Sequence, residues 1–168
     1  MHPKGTQSGF TLIEALLAAA ILLMAITAIT MPFSTAAGAE QLVIRQTMAA
    51  GLAQELMEEI LAKPFADPQG ASNPGVEADE DEQDRGTFDN MDDYDGWEEL
   101  PGQIADMQGN LVTDEVAQQL SRHVTAGYVY VDGQDEGQPA TFIRITVEVR
   151  YGQRALATFT RLACAYGT

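Results

Sequence analysis

Residues 8–31 read SGFTLIEALLAAAILLMAITAITM, and the organisation of the whole chain follows from this stretch. From Phe10 to Met31 there are 22 residues with a single charge, Glu14. A helix of that length reaches about 33 Å at ~1.5 Å per residue, enough for a hydrocarbon core about 30 Å thick. Lys4 precedes the run and no basic residue follows it until Arg45. The excess of positive charge on the leading side places residues 1–9 in the cytoplasm and the remainder across the membrane. Two other readings use the same residues. One is a buried core helix, for which the run is unusually long. The other is a secretory signal peptide, with Lys4 as its basic start and Ala37-Gly38-Ala39 as an A-x-A cleavage site. The apolar stretch exceeds the ~7–15 residues usual in such a peptide, and an acid within it has no role there.

Glu14 separates these readings. A carboxylate inside a membrane helix costs ~2.5–3.5 kcal/mol at the centre and less near an end. Its context is Ser8-Gly9-Phe10-Thr11-Leu12-Ile13-Glu14, directly followed by the apolar span. This resembles the processing motif of type IV prepilins and pseudopilins. The resemblance implies that a prepilin peptidase/methyltransferase cuts after Gly9 and N-methylates Phe10, and that Glu14 is the glutamate at the fifth position of the mature chain. It also implies a role in assembly for Phe10 and Glu14. Cleavage leaves a charged amine on Phe10, and Glu14 of a neighbouring subunit can neutralise it, because charges that are costly when buried alone are cheaper when paired.

Beyond the span, Pro32 and Gly38 are points at which a helix can kink. From about Ala39 a helical pattern resumes. Ala49, Leu52, Ala53, Leu56, Met57 and Ile60 fall on one face, with Gln54, Glu55, Glu58 and Glu59 on the other. Pro64 ends the helix near Ala62 or Lys63. Continuity predicts one helix of about fifty residues, the length implied by the family resemblance.

Residues 64–110 carry several prolines and glycines and no helical or strand period, so they read as an acidic loop region. The run from Glu77 to Glu82 reads as a solvated face. The stretch from Arg85 to Trp97 mixes aromatics with carboxylates and resembles a segment of D-type minor pilins of mannose-sensitive haemagglutinin pili. Asp89, Asp92, Asp93 and Asp95 offer oxygens for calcium, but EF-hand spacing would need an acid at Met91. The competing expectation is a solvated loop pinned by Phe88, Tyr94 and Trp97.

The remaining chain, residues 111–168, reads as a sheet. Leu111–Leu120 is expected to form a short helix and Val124–Val131 a strand. Thr141–Tyr151 alternates strictly, with Ile143, Ile145, Val147, Val149 and Tyr151 on one face. Gly152-Gln153 makes a tight turn, and Ala155–Ala163 returns with Leu156, Phe159 and Leu162. The predicted fold is α+β: a long N-terminal helix whose outer half covers a three-stranded antiparallel sheet, with Thr141–Tyr151 central. The segments are a leader peptide (1–9), a transmembrane helix (10–33), its amphipathic extension (34–63), the acidic loops (64–110) and the sheet (111–168).

Composition narrows function by exclusion. The net charge is −16, from 25 acidic and 9 basic residues, and no two basic residues are adjacent. No basic patch for nucleic acid or anionic lipid is visible. One cysteine, Cys164, cannot form an intramolecular disulfide, and two histidines, His2 and His123, make no zinc pattern. Ser121 and His123 share a strand face with no third partner for a nucleophilic triad, and no phosphate loop or G-x-S-x-G motif is present. The expectation is a structural subunit and no enzyme, without a cofactor unless calcium binds. The family resemblance implies a minor pilin or pseudopilin of a type IV pilus or type II secretion pseudopilus in the inner membrane, with its C-terminal domain in the periplasm or an extracellular filament. Its expected partners are other pilins or pseudopilins and an inner-membrane assembly platform driven by a separate ATPase. The alternative is a membrane-tethered module that captures calcium or another ligand.

Overall fold

The computed structural model describes residues 9–70, 74–134 and 140–164, with backbone alone over 31–38. The segment containing Lys4 and Ser8 lies outside the described residues, as does most of the loop leading to Pro139. Helix α1 runs Leu12–Leu61, 50 residues, so the predicted length holds and neither Pro32 nor Gly38 ends it. The chain divides into two compact units between Leu42 and Val43.

The second unit is built on the last turns of α1 and one antiparallel sheet. The predicted apolar face is buried throughout: Ala49, Ala53, Leu56 and Ile60 are fully inaccessible, and Leu52 and Met57 nearly so. The helix closes with Ala62 and Lys63 N–H groups on the Glu58, Glu59 and Ile60 carbonyls, directly before Pro64, which cannot continue it.

The sheet has four strands, not the three expected. Their order is β1 (Glu98–Glu99), β2 (Leu120–Val129), β3 (Phe142–Tyr151) and β4 (Arg154–Cys164). β1 pairs Glu98 with His123 and Glu99 with Arg122. Two adjacent glutamates disfavour a strand on propensity and are too few to show a period. Tertiary pairing overrides both. β2 begins at Leu120, four residues before the expected start, because Arg122 points into the core and breaks the apolar alternation there. The short helix expected over Leu111–Leu120 is instead a bridge between Leu111 and Ala105, then a 3-10 turn at Ala117–Gln119. Asp114 stabilises that turn by accepting from the Val116 and Ala117 N–H groups at 2.8 and 3.2 Å.

β3 lies between β2 and β4 as predicted. Ile143, Ile145, Val147 and Val149 are fully buried. They join the helix face, Phe88, Tyr94, Leu120 and Val124 in one core. Tyr151 leaves that core and takes the Arg45 guanidinium 4.4 Å above its ring. Gly152 turns with φ 56°, a left-handed conformation suited to glycine. β4 meets β3 with a register shift at Val149/Arg150. Ala157, Phe159 and Ala163 face the core, whereas Leu162 is half exposed on the other face.

A buried charge network ties helix, loops and sheet together. Arg122, 1% exposed, pairs through Nε with Glu99 Oε2 at 2.5 Å. It also donates to the carbonyls of Leu52 on α1 and Ala105 at 3.1 and 2.8 Å. Arg85 pairs with Glu99 Oε1 at 2.9 Å and Glu59 Oε1 at 3.2 Å, and its Nη2 donates to the Ala105 and Asp106 carbonyls. Two guanidinium groups and two carboxylates leave the set neutral, which is what makes its burial tolerable. Glu59, expected on the wet helix face, is drawn inward by Arg85 and by the Tyr94 hydroxyl at 2.9 Å.

Candidate functional site

The amino-terminal segment has an organised start. The Thr11 backbone N–H and hydroxyl both donate to Glu14 Oε2, at 3.0 and 2.9 Å. The Glu14 N–H reaches back to Thr11 Oγ1 at 3.4 Å. This reciprocal arrangement is a capping box, a threonine before the helix serving the glutamate three residues on. The T-x-x-E pattern of residues 11–14 was available in the sequence as a capping signal. Glu14 therefore has a task within its own chain. Among the described residues nothing bonds to its Oε1, so that oxygen is available to a partner.

From Leu12 to Thr30 the helix is long and apolar enough to cross a membrane, with mean hydropathy 2.5 and no part of it buried. Phe10, Leu12 and Ile13 are each more than 70% exposed. So long an apolar surface requires lipid or other helices to cover it. The two threonines bond inward: Thr27 donates to the carbonyls of Leu23 and Met24, and Thr30 to those of Ile26 and Thr27. Hydroxyls satisfied on their own helix need no water in an apolar surrounding.

Calcium ligation at Asp89, Asp92, Asp93 and Asp95 gains no shared centre from the fold. Asp92 uses both oxygens, accepting from Tyr128 OH at 2.7 Å and Gly75 N–H at 2.9 Å. Asp95 Oδ1 accepts from the Ala126 N–H at 2.9 Å. Asp89 Oδ2 is held by Gln69 Nε2 at 2.7 Å. Asp93 instead joins Glu77 and Glu80, residues that read as part of a solvated acidic run: one carboxylate oxygen from each lies within 4.8 Å of the others. Burial, then the contact with Glu80 and the charges of Asp93, Glu80 and Asp67, push the Glu77 carboxyl up to about 7. Burial likewise raises Asp93, against the lowering effect of the Asn90 and Asp89 N–H groups. The aromatic docking expected of this segment holds. Phe88 meets Tyr94 and Trp97 edge-on at 5.0 and 5.5 Å, with Phe88 and Tyr94 buried.

Ser121 and His123 are half-buried on the outer sheet face. His123 sits opposite Glu98 on one side and Glu148 on the other. Cys164 is free and exposed at the end of β4.

Residues 4–30 match the family described as "Prokaryotic N-terminal methylation motif". No curated protein and no solved structure matches the chain. The match supports a type IV pilin-like protein processed by prepilin peptidase and assembled with other pilins, and with the exposed apolar helix it is consistent with a membrane-anchored pilin.

Proposed function

We propose that this chain is a non-enzymatic structural subunit, a minor pilin or pseudopilin of a type IV pilus or type II secretion pseudopilus. The observation that carries the reading is the methylation-motif match over residues 4–30, which takes in the uncovered apolar helix. Cleavage falls between Gly9 and Phe10. The mature subunit waits in the inner membrane with a single span and its C-terminal domain on the periplasmic side. It then enters a filament through α1, with force supplied by a separate ATPase at the assembly platform. The likeness of residues 85–97 to D-type minor pilins favours the minor, low-copy role. The acidic surface, with net charge −16, argues against nucleic acid as a direct ligand of an isolated subunit.

In this reading Glu14 does two things: it caps α1 through Oε2 and offers charge to the Phe10 amine of a neighbouring subunit. Two substitutions separate them. Glu14→Gln keeps a hydrogen-bond acceptor for Thr11 and removes the charge, and Glu14→Leu removes both. Each is expected to insert normally, since each takes a charge out of lipid. Each is also expected to lower crosslinking to co-assembled pilins by about tenfold or more, because the amine is left buried and unpaired. Normal incorporation of Glu14→Gln would leave Glu14 only its capping role.

A further inference from the structure

We propose that Glu77, Glu80 and Asp93 form a binding site for a hard divalent cation of calcium's size. One carboxylate oxygen from each residue lies within 4.8 Å of the others. Three oxygens spread evenly around one Ca²⁺ at 2.3–2.6 Å lie about 4.0–4.5 Å apart, so small side-chain adjustments close this cluster on a single ion. Asp93 is 1% exposed. Its Oδ2 accepts from the Asp89 and Asn90 N–H groups at 3.0 and 2.8 Å, which fixes the carboxylate, while its Oδ1 is buried with no partner. Glu77 Oε1 is buried and unpartnered in the same way. Buried polar atoms are normally paired, and two orphaned carboxylate oxygens on residues of one cluster mark a place for a positive ligand.

Among the described residues, no lysine or arginine nitrogen lies within ion-pair distance of any of the three; the ion pairs of this unit belong to Arg85, Arg122 and Arg150. The cluster is also held in place. Glu80 accepts from the Glu77 N–H through Oε2 at 3.1 Å and from the Asp89 N–H through Oε1 at 3.0 Å. Two stretches of the same loop region are thereby brought to one point. Asp93 also lines an open cleft with Val76, Arg85 and Trp97. All donors are oxygens, the preference of calcium and magnesium over zinc or copper. Waters or backbone carbonyls complete the usual six to eight ligands. The ion would pin the acidic loop to the 3-10 turn at Asp92–Tyr94 and so to the core beneath it.

This inference does not depend on filament assembly, so the two can fail separately. The test uses the full chain in detergent, stripped with chelator and then titrated calorimetrically with CaCl₂, with melting temperatures recorded in EGTA and at 1 mM Ca²⁺. Wild type is expected to bind one Ca²⁺ and to melt at least about 4 °C higher in calcium, because an ion bound only by the folded state stabilises it. Glu77→Gln, whose side chain holds no backbone group, is expected to melt like wild type in EGTA and to lose both the heat of binding and the calcium shift. Asp93→Asn keeps an acceptor for the two N–H groups and is expected to behave alike. Glu115→Gln, an exposed change elsewhere, should keep the full response. A wild type indifferent to millimolar calcium, or a Glu77→Gln that responds as wild type does, would overturn the site.

Discussion

Arg122→Met is expected to destabilise the C-terminal unit by about 3–5 kcal/mol, the range for breaking a buried ion pair from one side. Domains of this size are stable by only about 5–15 kcal/mol, so much of the population should unfold on mild warming. The cause is what the substitution leaves behind. Glu99 loses the Nε contact at 2.5 Å, and the Leu52 carbonyl on α1 loses its bond to Nη1. Methionine fills much of the volume but offers no donor. Adding Glu99→Gln should recover part of the loss, because Arg85 then keeps Glu59 as its partner at 3.2 Å and no charge is stranded. Urea melts of a fragment beginning near Ala39 measure both variants. A double variant as unstable as the sum of the two singles would mean that the residues do not act as one network.

Val147→Asp is expected to prevent folding of the same fragment. Val147 is fully buried, between Val124 on β2 and Phe159 on β4. The substitution forfeits about 1.5–3 kcal/mol of apolar burial and places a carboxylate where none of these neighbours can pair with it, which costs more. Glu148→Thr, one residue along on the outer face, should shift stability by less than about 1 kcal/mol. The Glu148–Arg150 contact is a surface pair, with side chains 24% and 42% exposed, and such pairs contribute little. Thermal melts of equal midpoint for the two variants would contradict the assignment of faces on β3.

The contrast between β3 and β1 explains how much of the fold could be read in advance. β3 alternates over ten residues, so its two faces are written in the sequence. α1 is equally legible, through an uninterrupted apolar run, then a three- and four-residue period, then Pro64. β1 has two residues, both acidic, and exists because Arg122 and Arg85 neutralise Glu99. Nothing local to Glu98-Glu99 signals this. The same long-range pairing hid the start of β2, since an arginine on a strand ordinarily marks the wet face. At the proposed functional end, Gly9, Phe10 and Glu14 could be nominated from sequence because processing motifs are contiguous. Glu77 and Glu80 were not, because their meeting with Asp93 depends on how the loop folds back, and from sequence alone they belong to an ordinary acidic run.

This chain is expected to be processed as a prepilin and anchored by the helix that follows. The most direct measurement is the intact mass and amino-terminal sequence of the mature protein recovered from the membrane fraction of cells carrying a prepilin peptidase. The expected product is a chain beginning at Phe10 and heavier than the unmodified form by one CH₂, the net gain of a single N-methylation. A chain beginning at Glu40, after the Ala37-Gly38-Ala39 site, would contradict it and make the apolar segment a secretory signal. A chain still carrying residues 1–9 in the presence of active peptidase would contradict it equally.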